Sequence, residues 1–123
     1  MRIREVMTRG TINIGGEATV MEAIEKMHDC RVGALVVDNS AIVTRRDVLA
    51  KVIAPGRNPA EVKVSEIMSD SLVTVHPDAT VEDMAKIIHK REIGKFPVAD
   101  DNGIVGFVSS GDVLKAVVLE CQD

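Results

Sequence analysis

Two long stretches of this chain repeat each other. Residues 17–37 read EATVMEAIEKMHDCRVGALVV, and residues 78–98 read DATVEDMAKIIHKREIGKFPV. Both carry the letters ATV at the start of a helical pattern, and the offset between them is 61 residues. A match that extends over a whole segment at a constant offset indicates an internal duplication. We therefore interpret the chain as two copies of one unit.

The match continues on both sides of these stretches. Upstream, VMTRGTINI at 6–14 parallels IMSDSLVTV at 67–75. Downstream, TRRDVL at 44–49 parallels SSGDVL at 109–114, and the offset there has grown to 65. The first copy therefore has a hairpin that is four residues shorter. A linker rich in Pro and Gly, APGRNPAEV at 54–62, separates the copies and predicts a first repeat over 1–61 and a second over 62–123.

Each copy predicts the element order β-α-β-β-α. An extended piece (11–14 or 72–75) precedes a helix that begins after Thr19 or Thr80, each followed three residues later by an acidic residue, as in a capping box. Two short strands and a final helix follow, and DDNG at 100–103 predicts a hairpin turn. Apolar residues at i, i+3, i+4 and i+7 predict the core face of the first helix. These are Val20, Ala23, Ile24 and Met27 in one copy, and Val81, Met84, Ala85 and Ile88 in the other.

Composition excludes several classes of function. The 123 residues include two Phe but neither Trp nor Tyr, which argues against stacking on single-stranded nucleic acid. The net charge of −4 offers no basic field for DNA or for an anionic membrane. No apolar run is long enough to span a membrane, and the N-terminus lacks the apolar core of a signal peptide. Cys30 and Cys121 stand alone, so we expect a cytoplasmic protein without a metal site or disulfide.

The duplicated order, with IVTRRD and GFVSSGD at its strand-to-helix junctions, resembles a tandem pair of CBS (cystathionine-β-synthase) domains, a Bateman module. The family pattern Gly-apolar-apolar-Thr/Ser-x-x-Asp is intact at 106–112, and at 41–47 it has Ala41 in place of Gly. The resemblance extends from about Val6 to Leu119. It implies an α/β (α+β) fold of two β-α-β-β-α repeats, packed sheet to sheet with pseudo-two-fold symmetry. It also implies a cleft between the repeats that binds an adenine nucleotide or another adenosyl ligand.

The two junctions allow two compatible interpretations. Thr44 and Ser109 are typical helix caps, and Asp47 and Asp112 favour the positive end of the helix dipole. An ionised Asp also accepts both hydroxyls of a ribose, while free N–H groups at a helix start hold phosphate oxygens. With the resemblance, we expect ribose recognition by at least one of these Asp residues.

The rest of a nucleotide needs an apolar slot for adenine and donors for phosphate. The predicted lining consists of Ile12, Ile14, Leu35, Val73, Val75, Phe96 and Pro97, and the alternative for all of them is core packing. The predicted phosphate contacts are Arg45, Arg46, Lys95, Ser110 and Gly111. For the three cations, the alternative is a solvated surface position.

No nucleophile–base pair or metal-ligand cluster can be assembled, so we expect no enzyme and no cofactor. The leading hypothesis is a regulatory module that binds AMP, ADP or ATP, forms a homodimer and signals to a partner protein. The alternative is a structural or dimerisation module that has lost ligand binding. The short hairpin, Ala41, and Val36 in place of Pro favour that alternative for the first repeat.

Overall fold

The computed structural model describes residues 1–70, 73–91 and 95–121. Its helices are α1 (Ile3–Val6), α2 (Val20–Cys30), α3 (Arg45–Val48), α4 (Val81–Arg91) and α5 (Ser110–Glu120), with a π-helical turn at Leu49–Ile53 and 3-10 turns at Pro59–Glu61 and Val64–Glu66. Its strands are β1 (Thr8–Arg9), β2 (Asn13–Ile14), β3 (Ala34–Val37), β4 (Ala41–Thr44), β5 (Lys95–Asp100) and β6 (Gly103–Ser109). Leu72 of the predicted strand and Gly94, the predicted match of Gly33, lie outside the described residues. The mixed α/β class is confirmed.

The chain forms two compact units, each with its own three-stranded sheet. The first unit is Thr11–Leu72 and contains the sheet β2-β3-β4. The second unit combines Met1–Gly10 with Val73–Asp123 and contains the sheet β1-β6-β5. Strand β2 pairs in parallel with β3, and all other pairs within the two sheets are antiparallel.

The units differ from the predicted sequence repeats because the two repeats exchange their first residues. Thr8, from the start of the first repeat, pairs with Phe107 of β6 in the second unit. Ser69, at the matching place in the second repeat, pairs with Ile42 of β4 through two backbone hydrogen bonds of 2.8 and 2.9 Å. The predicted boundary between residues 61 and 62 divides the sequence repeats and not the structural units. As a boundary between repeats it stays a prediction.

The register of the duplication is visible in the strand pairing. Ile14 pairs in parallel with Val37, and Val75 makes a parallel bridge to Val98, each 61 residues later. The backbone N–H of Asp38 donates to Ile14 O, and that of Ala99 donates to Val75 O. The same hydrogen bond therefore recurs at the predicted offset.

Each unit has an apolar core between its sheet and its helices. The α2 stripe packs as predicted, since Val20, Ala23 and Met27 are buried and Ile24 packs partly buried against them. In α4, Val81 and Met84 are buried and Ile88 packs against the second core. The prediction for Ala85 is wrong, because that residue is exposed and Ile87 completes the core face instead. The aliphatic periodicity therefore places the face, although a short Ala side chain at its edge does not reach the core.

Candidate functional site

The junction of the first repeat is a capping box that also holds a lysine. The Thr44 backbone N–H and hydroxyl donate to Asp47 Oδ2 at 2.9 and 3.0 Å, and the Asp47 N–H donates back to Thr44 Oγ1 at 3.1 Å. Lys51 Nζ lies 3.2 Å from Asp47 Oδ1 and donates to the Ile67 carbonyl oxygen at 2.9 Å. Both oxygens of the Asp47 carboxylate are therefore engaged, and its side chain is only 15% exposed.

The junction of the second repeat has the same cap without the lysine. The Ser109 N–H donates to Asp112 Oδ2 at 2.8 Å, and the Asp112 N–H donates to Ser109 Oγ at 3.1 Å. Among the described residues, nothing bonds to Asp112 Oδ1. The carboxylate is half-buried, and the cap fixes its orientation, so one oriented acceptor oxygen remains available.

The arginines of the first junction lie at the surface. The Arg45 guanidinium packs over Gly33, because a Cβ added at Gly33 would come within 2.7 Å of Arg45 Nη2, and the Arg45 N–H donates to Gly33 O at 3.0 Å. Arg45 also lines a groove of about 880 Å³ between α2 and the π turn, together with His28, Arg31 and Leu49. Arg46 is exposed. Neither arginine makes an ion pair with a described carboxylate.

A different cation lies beside the second junction. Lys95, in register with Ser109 on the neighbouring strand, is exposed, and its Nζ lies 5.2 Å from the centre of the Phe107 ring. Phe107 is half-buried and is paired with Pro97. The cross-strand alternation places Lys95, Pro97, Phe107 and Ser109 on one face of the β5–β6 hairpin. Ser110 is half-buried and Gly111 is exposed at the start of α5. Lys95 and Phe107 therefore share a face of the hairpin with Ser109, the residue that caps Asp112.

This geometry occurs in a chain whose two halves match one family. A model described as CBS domain matches residues 3–54 and again residues 64–119. The chain belongs to the CBS domain family. The two repeats predicted from the sequence are therefore two CBS domains, and the chain is a CBS domain pair.

Relatives come from distant organisms. The chain is 34% identical over 119 residues to an uncharacterized protein of Methanopyrus kandleri, which covers 92% of this chain and 61% of the relative. It is 39% identical over 114 residues to the mitochondrial CBS domain-containing protein CBSX3 of Arabidopsis thaliana, covering 85% of this chain and 55% of the relative. The chain thus spans a little over half the length of these two relatives.

The fold is similar to that of a solved structure, the hexameric CBS-CP12 protein from bloom-forming cyanobacteria. The TM-score is 0.82 at 31% identity, and the match covers 100% of this chain and 75% of that one. In the described part of the chain, no helix is both long and apolar enough to cross a membrane. The same residues hold no group of three or more His, Cys, Asp or Glu side chains placed to bind a metal ion.

Most of the predicted adenine-lining residues lie in the cores of the two CBS units. Leu35 is 0% exposed in the first core, where Ile12 and Ile14 also pack. Phe96 and Val75 are buried in the second core, against which Val73 packs. Their positions match the core-packing alternative, and a ligand role for them stays a prediction. Pro97 is buried but belongs to neither core cluster.

Two residues of the junctions were missed by the sequence analysis, although each leaves a readable signal. Lys51 follows Asp47 by four residues, which is the spacing of a helical ion pair. The orientation of Phe107 follows from strand alternation, because its neighbour Val108 pairs with Phe96 and both face the core. Pro97 and Phe107 must therefore face the other way.

Proposed function

We propose that this protein is a regulatory CBS pair that binds an adenine nucleotide or another adenosyl ligand at its second junction. The observation that carries the proposal is the carboxylate of Asp112, of which the Ser109 cap holds one oxygen and leaves the other with no described partner. That oxygen is not buried, since no buried side-chain oxygen of the described residues lacks a partner, and it is therefore open to donors from a ligand. The two vicinal hydroxyls of a ribose supply such donors.

The surroundings of Asp112 fit the other parts of a nucleotide. The first backbone N–H groups of α5, at Ser110 and Gly111, have no hydrogen-bond partner inside the helix. They lie at its N-terminus, which is the positive end of the helix dipole. Lys95 lies on the adjacent strand, opposite Ser109, and adds a positive charge. Oriented N–H groups and an ammonium are the donors that phosphate oxygens use.

An apolar platform for a base is present on the same face of the hairpin. Phe107 is half-buried and lies opposite Pro97, and Lys95 Nζ is 5.2 Å from the centre of its ring. A base stacked on such a ring gains about 1–3 kcal/mol. The ring would exchange its contact with the Lys95 ammonium for the base, and the ammonium would become available for phosphate.

A ligand regulates such a module only through unequal affinity for two conformations. A nucleotide that binds one arrangement of the second junction better than another shifts the population toward it. A partner protein that contacts only that arrangement then responds to the nucleotide. The regulatory activity of the whole protein is part of this proposal.

Isothermal titration calorimetry with AMP, ATP and S-adenosylmethionine tests the proposal. The chain has neither Trp nor Tyr, so the protein itself absorbs almost nothing at 280 nm. A purine that stays bound through purification would therefore be visible as an absorbance band near 260 nm. We expect Asp112→Ala to weaken binding about tenfold or more, since hydrogen bonds to a charged group contribute about 1.5–3 kcal/mol.

Asp83→Ala is the matched control for this experiment. Asp83 makes the same capping contacts with Thr80 at the start of α4, in the same unit, but does not belong to the junction. This variant should therefore lose a cap and keep the affinity. Equal affinities of the wild type and Asp112→Ala, or no binding of any of the three ligands, would contradict the proposal.

A second candidate function is self-association, and the apolar surfaces of the last helices favour it. Leu49 and Ile53 are exposed in the first repeat, and Leu114, Val117, Val118 and Leu119 are exposed in the second. Several large apolar side chains exposed on one helix are typical of a protein interface. The CBS-CP12 neighbour is described as a hexamer. Sedimentation equilibrium should show a homodimer that Leu114→Asp weakens, and a monomer at all concentrations would exclude this candidate.

A further inference from the structure

The last helix of the first repeat contains a π turn, whereas that of the second repeat is regular. After α3, the N–H of Ala54 donates to Leu49 O at 2.8 Å and the N–H of Arg57 donates to Val52 O at 2.9 Å, both across five residues. Helix α5 is continuous from Ser110 to Glu120. A π turn inserts one extra residue, which rotates the following side chains by about 100° around the helix.

This rotation changes which residues enter the core. In α5, Val113 and Ala116 are buried and Val117 is exposed. At the matching places in the first repeat, Val48 and Val52 are buried, while Lys51 replaces Ala116 and is turned outward with a side chain 46% exposed. The position that fills the core in one repeat therefore becomes a surface position in the other.

The outward turn brings Lys51 onto the carboxylate of its own junction. Its Nζ bonds to Asp47 Oδ1 at 3.2 Å and to Ile67 O at 2.9 Å. Asp47 Oδ2 is already taken by the Thr44 N–H and hydroxyl. In the second repeat, the residue four positions after Asp112 is Ala116, which is 1% exposed and whose methyl side chain has no hydrogen-bond donor. The lysine therefore occupies, in one junction only, the oxygen that remains open in the other.

We infer that Lys51 is an internal competitor for the ribose site of the first junction, so that a nucleotide fills the second junction first. This inference rests on the proposed function. An ammonium bonded to Asp47 Oδ1 supplies the donor that a ribose hydroxyl would supply, and it neutralises the charge that orients that hydroxyl. A ligand at the first junction must displace the lysine from two acceptors, whereas at the second junction no described ammonium is bonded to the carboxylate.

Calorimetry with ATP tests this inference in a chain whose second junction is weakened by Asp112→Ala. Three proteins are compared: Asp112→Ala, Asp112→Ala with Lys51→Met, and Asp112→Ala with Lys115→Met. Met keeps the aliphatic stem of the lysine and removes the ammonium. Lys115 is an exposed lysine on α5, so its substitution controls for the change in net charge.

We expect Lys51→Met to tighten the residual binding about fivefold, the effect of one net hydrogen bond of about 1 kcal/mol. Lys115→Met should leave that binding unchanged. Lys51→Gln, which keeps a polar side chain without the charge, serves as a second variant if the Met substitution disturbs the π turn.

The results separate this inference from the proposed function. If the wild type binds ATP and Lys51→Met has the same affinity as its parent, the competitor role is wrong and the proposed function stands. If Lys51→Met binds more weakly, Lys51 contacts the ligand, and the inference is again wrong. If the wild type binds none of AMP, ATP and S-adenosylmethionine, both proposals fail together.

Discussion

Gly106 and Ala41 occupy the same place in the two hairpins, but their surroundings differ. Ala41 is 2% exposed and its methyl group is part of the first core. A Cβ at Gly106 would run into the backbone carbonyl oxygen of Thr8, because β1 pairs with β6 at this point. On β4, the described residues of the matching segment make one bridge, between Ser69 and Ile42. Gly therefore suits the close approach of β1 at position 106, whereas the methyl group of Ala41 fills the first core.

The largest effect that tests this comparison is expected for Gly106→Ala. The added methyl group must displace β1, and overpacking against a fixed backbone costs about 1–3 kcal/mol or more, so we expect about 3 kcal/mol of lost unfolding free energy. Urea unfolding followed by circular dichroism measures this value. The reciprocal variant Ala41→Gly removes one buried methyl group and should cost about 1.5 kcal/mol. A cost of Gly106→Ala no greater than that of Ala41→Gly would contradict the explanation.

The sequence predicted the parts of the fold that depend on local patterns. The repeat offset, the two helix caps at Thr44 and Ser109, and the aliphatic stripes all follow from spacing, because capping and amphipathic burial act within a few residues. The exchange of N-terminal segments was not predicted. Thr8 and Phe107 are 99 residues apart, and no local pattern records such a pairing.

The candidate site shows the same division. The caps formed by the hydroxyl and carboxylate of each junction were predicted, since a cap has a fixed three-residue spacing, and their ligand role stays a prediction. The predicted lining was not separated from the core, because single apolar residues such as Leu35 and Phe96 serve either purpose. The π turn was also invisible in the sequence, since Val52 and Val117 are both Val at matching positions but only Val52 is buried.

This pair of valines gives the second test. Val52→Ala removes two fully buried methyl groups within the π turn and should cost about 2 kcal/mol of unfolding free energy. Val117→Ala changes a side chain that is 46% exposed and should cost less than about 0.5 kcal/mol. The two variants make the same chemical change at the same position of the duplicated unit. Equal costs in urea unfolding would show that the last helices of the two repeats pack alike, which the π turn excludes.

The smallest expected effect concerns the starts of α2 and α4. At α4 the capping box is complete, because Asp83 Oδ2 accepts from the Thr80 N–H at 3.2 Å and the Asp83 N–H donates to Thr80 Oγ1 at 3.1 Å. At α2, Thr19 accepts from the Glu22 N–H, and among the described residues the Glu22 carboxylate makes no return bond. Of these two helices, only α4 therefore begins with a cap that depends on an ionised carboxylate.

This difference predicts an acid-sensitive contribution from α4. The hydrogen bond from the Thr80 backbone N–H, followed by the contact with its side chain, lowers the pKa of Asp83 below its ordinary value of 3.8. A carboxyl group with a lowered folded-state pKa stabilises the fold at pH values above its unfolded-state pKa. That contribution is lost as the pH falls through the folded-state pKa. Urea midpoints between pH 6 and pH 2 should therefore fall less steeply in Asp83→Asn than in the wild type.

Glu82→Gln is the control for this last comparison. It removes one carboxylate from the same exposed turn, but Glu82 makes no capping bond with a described residue. Its urea midpoints should follow the wild-type pH profile more closely than those of Asp83→Asn do. If both variants flatten the profile equally, the acid sensitivity comes from the charge of the first turn and its attraction to the helix dipole, and the completed cap has no separate role.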